Sequence, residues 1–175
     1  MSIEQADEVL QELWDQDIRA WHDHWVPIFR RFAHDLVSDA SVSSGQIILD
    51  VGTGTGVAAT EAARRVWPGF VFGIDRSGTA LDVAEVDSAN MKCRNVRFFK
   101  MNADRMFFPD ELFDSAMSNC GISYASLSQT ISEVYRVLRK GGVFALNDWH
   151  LKDVPAHRAF STILHECRTA RPSEK

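Results

Sequence analysis

The feature that most constrains this chain is the passage from Ile47-Ile48-Leu49-Asp50-Val51 straight into Gly52-Thr53-Gly54-Thr55-Gly56. A short, mostly apolar run suits a strand covered on both faces, as in a parallel sheet. Glycine at alternate positions then lets the backbone turn tightly and approach a ligand where a Cβ would clash. Val57 to Val66 reads as the helix that this loop opens. Strand, glycine loop and helix in that order begin a βαβ unit whose loop suits a nucleotide-like ligand.

The alternation continues along the chain. Strands are expected over Phe70–Ile74, Val96–Met101, Phe113–Met117 and Val143–Leu146, with helices over Thr79–Asn90 and Ser128–Arg139. The last of these presents Ile131, Val134, Tyr135 and Leu138 on one face and stops at Gly141-Gly142. Ahead of the glycine loop, Leu10, Leu13, Trp14, Ile18, Trp21 and Trp25 predict a helix over Ile3–Trp25, and Pro27 suits the first turn of a second one. After Pro155, Phe160, Ile163, Leu164 and Cys167 predict a final amphipathic segment. The expected fold class is α/β, a Rossmann-like, doubly wound, mainly parallel sheet with helices on both faces and its ligand loops at the carboxyl ends of the strands. Residues 1–40 form the N-terminal helices, a lid or cap, and residues 41–175 the ligand-binding domain.

Charge narrows the partners. A net charge of −5 and a pI near 5.6 disfavour a nucleic-acid substrate, which calls for an excess of Lys and Arg. Cys93, Cys120 and Cys167 are too widely spaced for a CxxC pair and suit a reducing compartment. No apolar run long enough to span a membrane is present, and Met1–Leu10 is acidic where a signal peptide is basic and then apolar. A cytoplasmic protein with no membrane partner is therefore expected.

Two carboxylates bear on the ligand. Asp75 ends the second strand, 23 residues after Gly52, where a carboxylate can accept hydrogen bonds from a ribose diol. Ser77, a natural cap for the helix that follows, leaves it free for that role. Gly54-Thr55-Gly56-Val57-Ala58-Ala59 also satisfies the GxGxxA form of a dinucleotide loop, so an NAD-dependent oxidoreductase stays open at this point. Asp50 tips the balance. It stands two residues before the first glycine, a poor neighbour for a pyrophosphate and a good one for the sulfonium and ammonium of S-adenosylmethionine.

Ile48 to Gly56, Gly73-Ile74-Asp75, Asn102-Ala103-Asp104 and Tyr135 to Gly142 together, in this order and spacing, resemble class I S-adenosylmethionine-dependent methyltransferases. The likeness covers about residues 45–150 and is nearest the branch of quinone-biosynthesis and other small-molecule enzymes. It implies S-adenosyl-L-methionine as cofactor and a small-molecule methyl acceptor. It also implies that Asp50, Gly52, Thr53, Gly54 and Gly56 cradle the methionine and ribose, and that Asp75 and Arg76 meet the ribose. Ala103, Asp104 and Arg105 would surround the adenine, and Asn119, beside Ser118 and Cys120, would face the methionine and the transferring methyl.

The family's fold continues after the fifth strand with a helix and an antiparallel strand pair, which this chain is expected to lack. A homo-oligomer covering the exposed sheet edge would then be one remedy, and a non-catalytic, partner-dependent subunit another reading. Should the acceptor need to lose a proton, His22, His24, Tyr124 and His150 are the candidate bases. His22-Asp23-His24 suggests no metal, because adjacent helical residues point in different directions. Trp14, Trp21 and Trp25 are read as packed core ahead of a lid over the acceptor.

Overall fold

The computed structural model describes residues 3–122 and 127–147, with backbone alone for residues 3–11 and 13. Nine elements follow in the order α1 (Ile3–Asp39), β1 (Ile47–Val51), α2 (Val57–Val66), β2 (Phe70–Asp75), α3 (Gly78–Asn90), β3 (Val96–Lys100), β4 (Phe113–Asn119), α4 (Leu127–Val137) and β5 (Leu138–Asn147). The strands form one sheet in the order β3-β2-β1-β4-β5, and all four pairings are parallel. The winding reverses between β1 and β4, which makes the carboxyl ends of those two strands the place for a ligand.

Side chains alternate across the sheet as its pleat requires. Ile48 joins Val71, Val96 and Met117 against Ala33, Leu36 and Val37 of α1 and an alanine-rich face of α2, Ala58, Ala59, Ala62 and Ala63. Leu49 and Val51 point the other way, to Ile74, Phe113, Ala116 and the α4 residues Val134 and Val137. The doubly wound, two-faced sheet read from the sequence is thus the observed one.

Two boundaries differ from expectation. The N-terminal region is one 37-residue helix, with Pro27 inside it. Pro27 forgoes a hydrogen bond to the Asp23 carbonyl, at a cost of about 3 kcal/mol. The buried stripe nevertheless runs unbroken across it through Ile18, Val26, Phe29, Ala33, Leu36 and Val37. At about 1.5 to 3 kcal/mol for each large side chain, that burial outweighs the missing bond.

At the other end, α4 stops at Val137 and β5 starts at once. Leu138 pairs with Phe113 and Val143 with Ser115, so Arg139-Lys140-Gly141-Gly142 loops out as a bulge, with Gly141 at φ 82°. Arg139 sets it by hydrogen bonding to the Asp114 carboxylate on β4. The expected segment after Pro155 lies outside the described residues.

The loop between β3 and β4 is held down from two sides. Phe108 packs edge-on against Phe72, Phe99 and Phe113, with ring centroids 5.8, 6.1 and 5.0 Å away. Arg136 of α4 donates to Glu133 (2.8 Å from both Nε and Nη2), to the carbonyls of Phe108 (2.7 Å) and Met106 (2.9 Å), and to Asp110 (2.8 Å). Its hydrogen bonds hold the Glu133 carboxyl below the usual carboxylate range. A lysine cannot reproduce this fork. Arg136→Lys is expected to lower stability by about 2 kcal/mol, read as a fall in Tm and in the urea midpoint.

Candidate functional site

The glycine loop is built by close backbone approach. Gly52 has φ 66°, and a Cβ there would stand 2.4 Å from the carbonyl oxygen of Gly121, in the loop after β4. Two loops 69 positions apart in sequence thus meet glycine to glycine. Gly73 in β2 is confined by side chains, since a Cβ would lie 2.7 Å from the Phe98 ring and 2.8 Å from Thr53 Oγ1. Gly56, at φ 78°, starts α2, and a Cβ on it would press on Ala84. Gly54 differs: its φ is 52°, and nothing lies within 4 Å of where its Cβ would be. It faces open space.

Asp50 and Asp75 fix the loop from below and beside it. Asp50 is fully buried, and its Oδ2 accepts a hydrogen bond from Thr53 Oγ1 (2.7 Å). Burial pushes its carboxyl up to about 7, against the lowering effect of the Thr53 hydroxyl and the Ala59 N–H. Asp75 Oδ2 accepts from the N–H of Gly54 (2.8 Å) and its Oδ1 from the N–H of Ser77 (2.9 Å). Burial raises this carboxyl too, and those backbone donors temper the rise. Ser77 caps α3 by accepting from the Ala80 N–H (3.0 Å), which leaves Asp75 outside the cap.

A cleft of about 590 Å³ opens at the switch point. Its floor and one wall come from the strand ends: Gly52 to Thr55 after β1, Asp75 and Arg76 after β2, Met101 to Ala103 after β3, and Asn119 to Gly121 after β4. The facing wall is α1, with Trp14, Asp17, Trp21, Trp25 and Phe29. Reading the tryptophans as packed core is therefore corrected. The aliphatic residues of α1 fill the core, while the indoles turn to the cleft and Trp25 remains 43% exposed. Trp21 lies 4.8 Å from Trp14 and 5.1 Å from Phe29, centroid to centroid, in tilted ring contacts.

Of the cofactor-site residues read from sequence, Gly52, Thr53, Gly54, Asp75, Arg76, Ala103 and Asn119 line this cleft. Asp50 and Gly56 support the loop from behind. Asp104 and Arg105 follow Ala103 in a turn closed by Arg105 N–H to the Asn102 carbonyl (3.2 Å). The histidines stand elsewhere. His22 Nε2 meets Asp87 of α3 at 3.0 Å, and His24 is exposed with Nδ1 at 2.8 Å from the Ala20 carbonyl. His24 borders a groove on α1 that shares Asp17, Trp21 and Trp25 with the cleft wall, and it is not among the residues lining the cleft itself. Tyr124 and His150 lie outside the described residues.

Gly121 and Asp17, to which the sequence alone gave no role, also line the cleft, as does Phe29, expected only on a buried helix face. For Gly121 the signal was a glycine directly after the strand-end triplet Ser118-Asn119-Cys120.

Polar atoms are left over at this place. Asp50 Oδ1, Thr55 Oγ1 and Asn119 Oδ1 are buried without a hydrogen-bond partner among the described residues. Such atoms are costly unless something pairs with them. Together with the carboxylates of Asp75 and Asp17, the Thr55 and Asn119 atoms line a cleft that fits a ligand rich in N–H, O–H and positive charge, with Asp50 beneath it.

Comparison with known proteins places this geometry. The family described as "Methyltransferase domain" matches residues 42–170. An arsenite methyltransferase of Halobacterium salinarum is 32% identical over 62% of this chain and 28% of its own length. A ubiquinone/menaquinone biosynthesis C-methyltransferase of Bradyrhizobium sp. is 29% identical over 88% of this chain and 59% of its own. The chain thus spans well under two thirds of either relative. Among solved structures, a SAM-dependent methyltransferase from Aquifex aeolicus superposes with a TM-score of 0.70 at 18% identity, covering 91% of this chain and 90% of that one, a likeness of fold.

Proposed function

The chain belongs to the methyltransferase-domain family, and we propose that its cleft binds S-adenosyl-L-methionine and that it methylates a small-molecule acceptor. The observation that carries this reading is the pair of unpaired buried acceptors that line the cleft, Thr55 Oγ1 and Asn119 Oδ1, beside the Asp75 carboxylate on a glycine-lined floor. A ligand with a ribose diol, an ammonium and a sulfonium supplies the donors and charge this set lacks. The acceptors named in the relatives, arsenite and quinones, are small molecules and support the same class.

The residues divide the work. Each Asp75 oxygen holds one backbone N–H and retains a lone pair for a ribose hydroxyl. Gly54 leaves space for the ligand to approach the backbone. Asp50, beneath the loop, favours a cation above it whenever it is ionised. Ala103, Asp104 and Arg105 are assigned to the adenine edge, and Asn119 to the methionine end. The indoles of Trp14, Trp21 and Trp25 hold the acceptor and exclude water.

When bound, S-adenosylmethionine supplies an electrophilic methyl on a sulfonium. The protein's contribution is then proximity and alignment of the acceptor in a dry cleft. Neither His22, whose Nε2 meets Asp87, nor His24, whose Nδ1 meets the Ala20 carbonyl, is among the residues that line the cleft. If the acceptor must lose a proton, Tyr124 and His150 are the remaining candidates.

Asp75→Ala is expected to weaken S-adenosylmethionine by roughly 1 to 3 kcal/mol, about 5- to 150-fold, and to lower Tm as well, because the Gly54 and Ser77 N–H groups lose their acceptor. Titration calorimetry checks it, and unchanged affinity contradicts the assignment. Transfer of a labelled methyl to an acceptor panel of quinols, phenols and arsenite tests the activity itself. Tight cofactor binding with no transfer to any of them would favour the non-catalytic reading.

A further inference from the structure

The two halves of α1 are held in different ways. From Ala33 to Ala40 the helix is packed into the core, but from Trp14 to Trp25 it turns indoles to the cleft. Among the described residues Ile18 is buried there, and polar contacts tie this half of the helix to α3. Asp15 Oδ1 accepts from both Ser77 Oγ and Thr79 Oγ1, the latter at 2.8 Å. Two turns further on, His22 meets Asp87 at 3.0 Å.

Ser77 is the junction. Fully buried, it donates its N–H to Asp75 Oδ1 (2.9 Å) and its hydroxyl to Asp15, while its Oγ accepts the Ala80 N–H (3.0 Å). Asp75 in turn holds the Gly54 N–H (2.8 Å). A continuous line of hydrogen bonds therefore runs from the glycine loop through Asp75 and Ser77 to Asp15, the residue after Trp14. The Asp15 carboxylate also sits at the N-terminus of α3, where the helix dipole favours an anion.

We propose that Asp15 is a positioning residue: it ties the indole wall of α1 to the Ser77-Asp75-Gly54 floor and so sets the width and shape of the cleft. The proposal rests on the cofactor reading above for its consequence in binding. The placement of the wall is independent of it. A bulky side chain is not needed at this position; an acceptor oxygen that two hydroxyls can share is.

The test compares Asp15→Ala, Asp15→Asn and Thr79→Val with the unaltered chain. The asparagine keeps an oxygen that can accept both hydroxyls, so it rescues the contact. Acrylamide quenching of tryptophan fluorescence, measured without ligand with Trp67 and Trp149 replaced by Phe in every variant so that Trp14, Trp21 and Trp25 alone report, reads the wall, and calorimetric titration with S-adenosylmethionine reads the cleft. Asp15→Ala is expected to raise the quenching constant by about half and to weaken binding by about fivefold, with Asp15→Asn close to the unaltered chain. Thr79→Val leaves the Ser77 cap intact and folds even if Asp15→Ala does not, and it moves both readouts in the same direction by a smaller factor. Quenching and affinity unchanged in both Asp15→Ala and Thr79→Val would overturn the proposal. So would Asp15→Asn behaving like Asp15→Ala. If the unaltered chain does not bind S-adenosylmethionine, the functional reading fails alone, and the quenching series still decides the role of Asp15.

Discussion

Replacing Gly52 with alanine is expected to lower the stability of the ligand-free protein by about 3 kcal/mol and to abolish cofactor binding. Both causes are local. The backbone at φ 66° is strained for any residue with a Cβ, and that atom would stand 2.4 Å from the Gly121 oxygen, so one loop must move. The loops that meet there carry Thr53 to Thr55 on one side and Asn119-Cys120 on the other, and separating them takes the cleft floor apart. Gly54→Ala is the control. Its φ of 52° carries the same kind of strain but no clash, so about 1 kcal/mol of stability should be lost. Urea unfolding and ligand titration of the two variants separate backbone strain from steric contact. Equal stabilities would show that the Gly52–Gly121 approach does not matter.

The second large effect is the pH dependence set by Asp50. Its carboxyl is raised from 3.8 to about 7 in the folded chain, mainly by burial. The fold therefore prefers the protonated acid. The associated stability is fully present below about pH 4 and is lost as pH rises to about 7. At about 1.4 kcal/mol per pH unit, this interval is worth on the order of 4 kcal/mol. Asp75 shifts in the same direction. Glu133, held low by Arg136, works oppositely and loses its contribution as pH falls through its folded value.

Asp50→Asn removes the larger slope. The variant should be more stable than the unaltered chain at pH 8, with a much flatter profile between pH 5 and 8. A cationic ligand in the cleft favours the ionised form, so affinity for S-adenosylmethionine should rise from pH 6 to pH 8 in the unaltered chain and stay level in the variant. Thermal unfolding and calorimetry across this range check both. A stability profile unaffected by the substitution would contradict the account of Asp50.

The sheet was legible because its strands carry their burial in their composition. Ile47 to Val51 and Phe70 to Ile74 are apolar on both faces, and glycine or a capping serine marks where each ends. The floor of the cleft was legible for the same reason, since it is made of strand ends and strand ends are short-range features.

What was not legible depends on contacts between distant residues. Pro27 looks like a helix start, and only the stripe that α1 buries on α2 and the sheet shows why the helix continues through it. Asp50 reads as an acid facing a ligand. In the fold it is on the α2 side of β1, buried beneath the loop with Thr53 as its partner. The three tryptophans have the spacing of a core stripe, yet Ile18 and Val26 take the core positions, and the indoles face the cleft together with Phe29. His22 is a candidate base by sequence, yet its Nε2 meets Asp87, 65 positions away, and the residue is not among those that line the cleft. The bulge at Arg139 to Gly142 follows from Asp114 on the neighbouring strand, which no local pattern encodes.

Calorimetric titration of the chain with S-adenosylmethionine and, separately, with NAD tests the central claim most directly. One site is expected for S-adenosylmethionine, lost in Gly52→Ala and weakened in Asp75→Ala, and no heat with NAD. Binding of NAD in place of S-adenosylmethionine, or of neither, would contradict it.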